Sequence, residues 1–113
     1  MAKLELTLRG DFDTVVQAVT DEIVKGSMSA ELEDSSDFRS ETARCAVRVI
    51  ERYSFAGGNR VSLALTFFGA ADGDSILVSA ITSGGSQAVF FKMNTWGEES
   101  FLDKAETILR KYQ

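Results

Sequence analysis

The sequence of 113 residues contains no histidine, no proline and a single cysteine, Cys45. Histidine is the commonest general base and metal ligand, so its absence removes every Ser-His and Cys-His nucleophile pair. One cysteine allows neither an internal disulfide nor a thiolate metal site, and without an activating partner we expect Cys45 to be a small buried apolar residue. The composition therefore predicts a protein that is not an enzyme and needs no cofactor.

Long hydrophobic runs are also missing. No apolar stretch approaches the ~20 residues that span a bilayer, and Leu4, Leu6 and Leu8 alternate with polar residues instead of forming the core of a signal peptide. The net charge is −5, from 12 Lys and Arg against 17 Asp and Glu, and an acidic surface repels phosphate backbones. We therefore expect no membrane and no nucleic-acid partner, and we expect the protein to reside in a reducing cytoplasm.

What the sequence does contain is ordinary globular composition, with 44% hydrophobic and 26% charged residues. Its length suits one domain, which we assign to residues 1–113. Alternating and helical hydrophobic patterns predict the order β-α-β-β-β-β-β-α, a two-layer α+β domain with a curved antiparallel sheet and two helices. We expect strands at residues 3–9, 28–32, 42–54, 60–69, 75–82 and 87–93, with a polar loop at 34–40.

The two helices carry recognisable end signals. Asp11 is expected to cap the first helix, and Gly26 is expected to end it in the left-handed conformation. Residues 95–98 have the S/T-x-x-E form of a capping box, so the second helix is expected to begin there. Its apolar stripe consists of Phe101, Leu102, Ala105, Ile108, Leu109 and Tyr112.

Turn geometry predicts which residues share a face of the sheet, because side chains alternate along a strand. A type I′ turn at 72–73 pairs Phe67 with Val78, and a second turn at 84–85 pairs Val78 with Phe91. The expected inner face, covered by both helices, consists of Val47, Val49, Leu63, Leu65, Phe67, Ile76, Val78, Val89, Phe91 and Met93.

The hairpin between the third and fourth strands of this order is less constrained. A two-residue turn at 57–58 would set apolar positions beside polar ones, so a loop of three or five residues is favoured. The five-residue loop pairs Tyr53 with Val61 and Val47 with Phe67, and the shorter loop gives the same faces.

The opposite face of the predicted sheet is unusually apolar for a surface that faces solvent. We interpret it as a protein–protein interface, most simply of a two-fold homodimer, flanked by Arg44, Arg48 and Arg52. These arginines could instead pair with acidic residues across strands, and one helix could instead cover this face within the monomer. The expected interface residues are Ala46, Arg48, Ile50, Ala64, Phe68, Leu77, Ile81, Ala88 and Phe90.

A second hypothesis is that the protein binds a small apolar ligand between the sheet and the C-terminal helix. Four aromatic residues are the candidates for lining that cavity: Tyr53, Phe67, Phe91 and Trp96. Tyr53 or Trp96 would supply the polar tip, because buried rings of this type usually keep a hydrogen-bond partner.

Five segments, 37–40, 51–53, 57–61, 81–86 and 94–98, together resemble a family of small uncharacterised bacterial proteins that occurs mostly in Firmicutes. The resemblance covers nearly the whole chain and implies a bacterial cytoplasmic protein, without a known activity or catalytic residues. The element order is also similar to the TBP-like, or helix-grip, architecture, in which a curved antiparallel sheet wraps a long C-terminal helix. Only one helix follows the first strand here, and function drawn from topology alone is analogy.

Overall fold

A computed structural model describes residues 2–53, 60–84 and 91–113, with the backbone alone described for 91–100. The α+β class, the antiparallel sheet and the two helices are confirmed. The elements are β1 (Ala2–Arg9), α1 (Phe12–Lys25), β2 (Glu31–Arg39), β3 (Ala43–Tyr53), β4 (Arg60–Ala70), β5 (Ser75–Gly84) and α2 (Phe91–Arg110).

The sheet has five strands in the order β1-β5-β4-β3-β2, and every neighbouring pair is antiparallel. The first strand lies beside the last one, where Leu8 pairs with Ile76 and Leu4 pairs with Ala80. The register between β4 and β5 is confirmed, since Phe67 pairs with Val78. Strands β1 and β2 are therefore the two edges of the sheet.

Both helices pack against one face of this sheet, which we call the inner face. The core there combines Leu8 of β1, the inward positions of β4 and β5, and the apolar stripes of the helices. In the described part of α2, Phe101, Leu102, Ala105 and Leu109 are buried, as the stripe predicts.

Of the two predicted ends of α1, the N-terminal cap is confirmed and the C-terminal conformation is not. The Asp11 carboxylate accepts hydrogen bonds from the Thr14 backbone N–H at 3.0 Å and the Thr14 hydroxyl at 2.8 Å, and these bonds lower the pKa of Asp11. Gly26 ends the helix with φ −75° and ψ −5°, which is right-handed, so the left-handed expectation was wrong. Its N–H donates to the carbonyl oxygens of Glu22 and Ile23.

The strand expected at 87–93 is not formed by residues 91–93, because α2 already begins at Phe91. The remaining positions of that strand, 87–90, lie outside the described residues. The reason is topological: the side of β5 on which that strand would have paired is occupied by β1. The expected start of the second helix at Thr95 was also wrong, because α2 begins at Phe91 and Thr95 lies within it.

Strand β2 begins near the end of the strand expected at 28–32 and continues through most of the segment 34–40 that was expected to be a loop, whereas residues 28–30 form no strand. All of its 9 residues are exposed, so it has no buried side that would impose apolar alternation. Backbone pairing with β3 forms it instead, with a bulge between Leu32 and Asp34.

The pairing of β3 with β4 is shifted by one residue from the prediction. Ala46, not Val47, lies opposite Phe67, and Val49 lies opposite Ala64. Because a one-residue shift exchanges the two faces of a strand, every side chain of β3 lies on the face opposite to the expected one. Cys45 consequently lies half-buried on the surface opposite the helices and not in the core.

Candidate interaction surface

The face of the sheet that points away from both helices carries a group of apolar side chains. We call this the outer face. Its positions on the three central strands are those that alternate with the buried core positions. The apolar members of the outer face in the described residues include Phe38, Cys45, Val47, Val49, Ala64, Phe68, Leu77 and Ile81.

One apolar row runs straight across the outer face. Phe38 pairs with Cys45, Cys45 with Phe68, and Phe68 with Leu77, so four apolar side chains lie on adjacent strands. Thr7 of β1 ends this row, as the partner of Leu77. Side chains directly opposite one another in antiparallel strands lie within contact distance on the same face, so the row forms one continuous patch.

A second apolar row lies four positions further along the strands. Val49 pairs with Ala64 and Ala64 with Ile81, while Asp34 and Lys3 stand at the two ends of the row. The row between the two is mostly polar, and its members are Ser36, Val47, Thr66, Ser79 and Glu5.

The large side chains of this patch are strongly exposed. Phe38 is 65% exposed, Leu77 55% and Phe68 49%. Antiparallel sheets that face water on one side normally place polar residues there. Within the part of the chain that the structure describes, the helices lie on the other side and cover none of these three residues.

An open groove of about 610 Å³ runs over the part of the outer face formed by β1, β4 and β5. Its exposed large apolar residues are Phe68 and Leu77, and Glu5 of β1 also lines it. The groove is lined by Glu5, Leu6, Thr7, Thr66, Phe68, Leu77, Val78, Ser79 and Gln113.

The residues expected at an interface divide into three groups. Ala64, Phe68, Leu77 and Ile81 lie on the outer face. Ala46 and Ile50 do not: both are 0% exposed beneath the helices, so their assignment to the outer face was wrong. The cause is the shifted register of β3. The last two, Ala88 and Phe90, lie outside the described residues.

Arg48 was also assigned to the outer face and lies on the inner one. Its guanidinium group pairs with the Asp37 carboxylate on β2 at 3.0 Å and donates to the Val47 carbonyl at 3.0 Å. Cross-strand pairing of this arginine, the alternative to a place beside the interface, is therefore what the structure shows.

The neighbouring arginines of β3 share this inner position. Arg44 lies 3.6 Å from Asp13 at the start of α1, and its Nε is buried without a hydrogen-bond partner among the described residues. The guanidinium of Arg52 stands 4.5 Å from the centre of the Phe101 ring, and burial lowers the pKa of Arg52. Long arginine side chains thus fill inner positions where the sequence predicted valine, because their methylene groups can cover apolar surface.

The aromatic residues proposed to line a ligand cavity are not brought together. Phe67 is fully buried on the inner face, whereas Tyr53 is exposed and stands beside Arg60, whose guanidinium lies 5.2 Å from the ring centre. The two residues lie on opposite faces of the sheet, so no single cavity between sheet and helix contains both. The side chains of Phe91 and Trp96 lie outside the described part of the structure.

The sequence reasoning missed four residues of the outer face: Phe38, Cys45, Val47 and Val49. The last three were visible as an apolar set on β3, but the prediction placed that set in the core. For Phe38 the signal was weak, since it is one aromatic residue in an acidic segment that reads as a loop.

Among the described residues, no three or more Asp, Glu or Cys side chains are placed to hold a metal ion. No described helix is both long enough and apolar enough to cross a bilayer. A family model with the description "family of unknown function (DUF6054)" matches residues 1–113. No curated protein and no solved structure matches the chain.

Proposed function

We propose that this chain, which belongs to the DUF6054 family of unknown function, is a non-catalytic binding module that forms a two-fold homodimer through its outer face. The observation that carries the proposal is the exposure of Phe38, Phe68 and Leu77 in one row. Contiguous apolar patches on soluble proteins commonly mark interaction sites. A two-fold interface buries the same patch on both subunits, so one set of residues serves both.

The dimensions of the outer face suit such an interface. The sheet has five strands of 8 to 11 residues. With strands ~4.8 Å apart and a rise of ~3.3 Å per residue, the face covers roughly 600–900 Å². Stable protein–protein interfaces bury about 800 Å² on each partner.

The non-catalytic part of the proposal rests on the available side chains. The sequence has no histidine, and the carboxyl and phenol groups with shifted pKa values have structural partners. Asp11, whose pKa is lowered, caps α1, while Glu22 and Tyr112 bond to each other between α1 and the chain end after α2. The shifted pKa values of these three groups arise from a helix cap and from a contact between α1 and the residues after α2, and they do not mark a catalytic cleft.

The experiment is sedimentation equilibrium of the wild type beside Phe68→Glu. We expect the wild type to form a dimer at high micromolar concentration. Phe68→Glu should remain folded by circular dichroism and sediment as a monomer, because it places a carboxylate in the centre of the apolar row.

Met28→Glu is the matched control. Met28 is an apolar residue that is fully exposed between α1 and β2, so the substitution adds the same charge outside the outer face. It should leave the dimer unchanged. A wild type that sediments as a monomer throughout, with Phe68→Glu equally folded, would overturn the proposal.

The groove supports a second candidate function, the binding of a small apolar molecule against Phe68 and Leu77. Its volume of about 610 Å³ lies within the range of roughly 300–1,000 Å³ typical of ligand sites. Under this alternative the wild type is monomeric, binds an apolar fluorescent probe, and loses that binding in Phe68→Glu. Under the dimer proposal the probe competes with self-association.

We also propose a bacterial cytoplasmic setting for the protein and a likeness of its fold to the helix-grip architecture. A bacterial cytoplasmic setting is supported by the single cysteine and the family-like segments of the sequence. A likeness to the helix-grip architecture is supported by the packing of the C-terminal helix α2 against the sheet, where Ala105 and Leu109 are buried.

A further inference from the structure

One row of the outer face carries opposite charges at its two ends, on the two edge strands. On β1, Lys3 is exposed at one end of the row that contains Ala64, and Asp34 of β2 is exposed at the other end of the same row. A second basic residue, Arg9, is exposed at the end of β1. A second acidic residue, Glu41, is exposed in the β2–β3 hairpin. The row that contains Ala64 therefore runs from an acidic residue on β2 across apolar residues to a basic residue on β1, whereas the middle row ends at Glu5 on β1.

We infer that the homodimer has its two-fold axis parallel to β4, so that the β1 edge of one subunit covers the β2 edge of the other. This inference rests on the proposed function, because it specifies how two outer faces meet. Two sheets packed face to face by a two-fold require an axis in the plane between them. For sheets that pack with their strands nearly aligned, that axis runs along the strands or across them, and the two cases pair different edges.

An axis along β4 brings complementary groups together. Lys3 then faces Asp34 of the partner subunit, and the symmetry repeats that pair on the opposite edge. In the apolar rows Phe68 and Ala64 lie near the axis and meet their own copies. The charged pairs form a polar rim around an apolar centre, as in known interfaces.

An axis across the strands brings like groups together instead. The β1 strand of one subunit would cover β1 of the other in reverse. With the axis through the row of Thr66, Glu5 would approach its own copy, and Asp34 would approach the apolar ring of Phe38 of the partner subunit. With the axis one position nearer to Phe68, Lys3 would approach Arg9 of the partner subunit. Like charges opposed at an interface disfavour association, so the charge distribution selects the first arrangement.

The geometry of sheet packing permits the proposed pair. Facing sheets lie ~10 Å apart and cross at ~30°, which displaces the edge strands by only about 5 Å relative to perfect alignment. Lys3 carries its charge on a flexible four-carbon chain that can span such a displacement.

Charge reversal tests the axis. Lys3→Glu alone and Asp34→Lys alone each create two repulsive pairs in their homodimer, and each should weaken self-association by about tenfold. An equimolar mixture of the two variants should recover dimerisation, because both pairs of the heterodimer are again attractive. Sedimentation equilibrium of each variant and of the mixture measures this.

Lys104→Glu and Asp103→Lys are the matched controls. Both residues are exposed on α2, away from the outer face, and the substitutions change the net charge by the same amounts. These variants should dimerise like the wild type, and mixing them should gain nothing. If dimerisation recovers in the mixture of Lys3→Glu and Asp34→Lys but not in the control mixture, the result supports a two-fold axis parallel to β4.

Two results would overturn the inference. If Lys3→Glu strengthens the homodimer, β1 meets β1 and the axis runs across the strands. If both variants dimerise as well as the wild type, these residues do not face each other. In either case a wild-type dimer that Phe68→Glu disrupts would leave the proposed function standing, whereas a monomeric wild type would remove both.

Discussion

Glu22 connects α1 to the C-terminal end of the chain through two hydrogen bonds. Lys111 Nζ donates to one carboxylate oxygen, and the Tyr112 hydroxyl donates to the other at 2.6 Å. The Lys111 bond, followed by the Tyr112 bond, lowers the pKa of Glu22, and the same carboxylate raises the pKa of Tyr112. The contact therefore favours the ionised carboxylate and the neutral phenol.

This pairing makes stability depend on pH in a defined direction. The folded-state pKa of Glu22 lies below its ordinary value of 4.5, so its contribution is fully present above that value and is lost as pH falls through the lowered pKa. We expect Glu22→Gln to cost about 0.5–1 kcal/mol at neutral pH, as for other exposed pairs. The difference from the wild type should vanish in acid, as measured by urea unfolding at a series of pH values.

Glu41→Gln is the control, since it removes the same charge from an exposed hairpin position. It should show no comparable pH-dependent loss. A stability difference between the wild type and Glu22→Gln that persists unchanged in acid would show that packing, and not ionisation, accounts for the effect.

At the level of elements, the register of β3 can be tested with two adjacent residues. Ala46 is fully buried on the inner face, while Val47 lies on the outer face. Ala46→Asp should destabilise the fold by roughly 3 kcal/mol or more, because it buries an unpaired carboxylate. Val47→Asp should fold with nearly wild-type stability and weaken self-association.

Thermal or urea unfolding measures both variants, and the comparison uses the same new side chain at neighbouring positions. If Val47→Asp were the strongly destabilising variant, β3 would have the register that the sequence alone favours. The order of the two effects thus decides which face of β3 the helices cover.

The elements that could be predicted from sequence are those with one buried side. Strands β1, β4 and β5 alternate because their inner positions are buried, and α1 and the second half of α2 carry apolar stripes for the same reason. The β4–β5 register followed from its Asp-Gly turn at 72–73.

The elements that could not be predicted lack that asymmetry. Both sets of β3 positions look suitable for a core: one contains Cys45, Val47 and Val49, and the other contains Ala46 and Ile50 between arginines. The arginine set is the inner one because its charged ends reach Asp13 and Asp37, which only the folded chain brings near. The sequence therefore located the outer face correctly on β4 and β5, but on β3 it assigned the inner residues to the outer face and the outer residues to the inner face.

At the scale of the whole molecule, the fold has a helical layer and a sheet layer, and the sheet is covered on one side. Stacking two outer faces would give four layers, helices–sheet–sheet–helices, with the apolar rows in the centre. Pairing of the β2 edge with the β2 edge of a second copy is disfavoured, because β2 presents four exposed carboxylates: Glu31, Glu33, Asp34 and Asp37. This charge distribution therefore favours association through the outer face over a two-fold contact of β2 with itself.

Cys45 provides a direct test of that arrangement. It is the single cysteine of the sequence and lies between Phe38 and Phe68 in the apolar row that also contains Leu77. A dimer covers this row, so the rate at which a thiol reagent alkylates Cys45 should fall as protein concentration rises past the dissociation constant. In Phe68→Glu the rate should be independent of concentration, because the monomer leaves the thiol accessible. A wild-type rate that also stays constant, at concentrations where sedimentation shows a dimer, would place the interface elsewhere on the molecule.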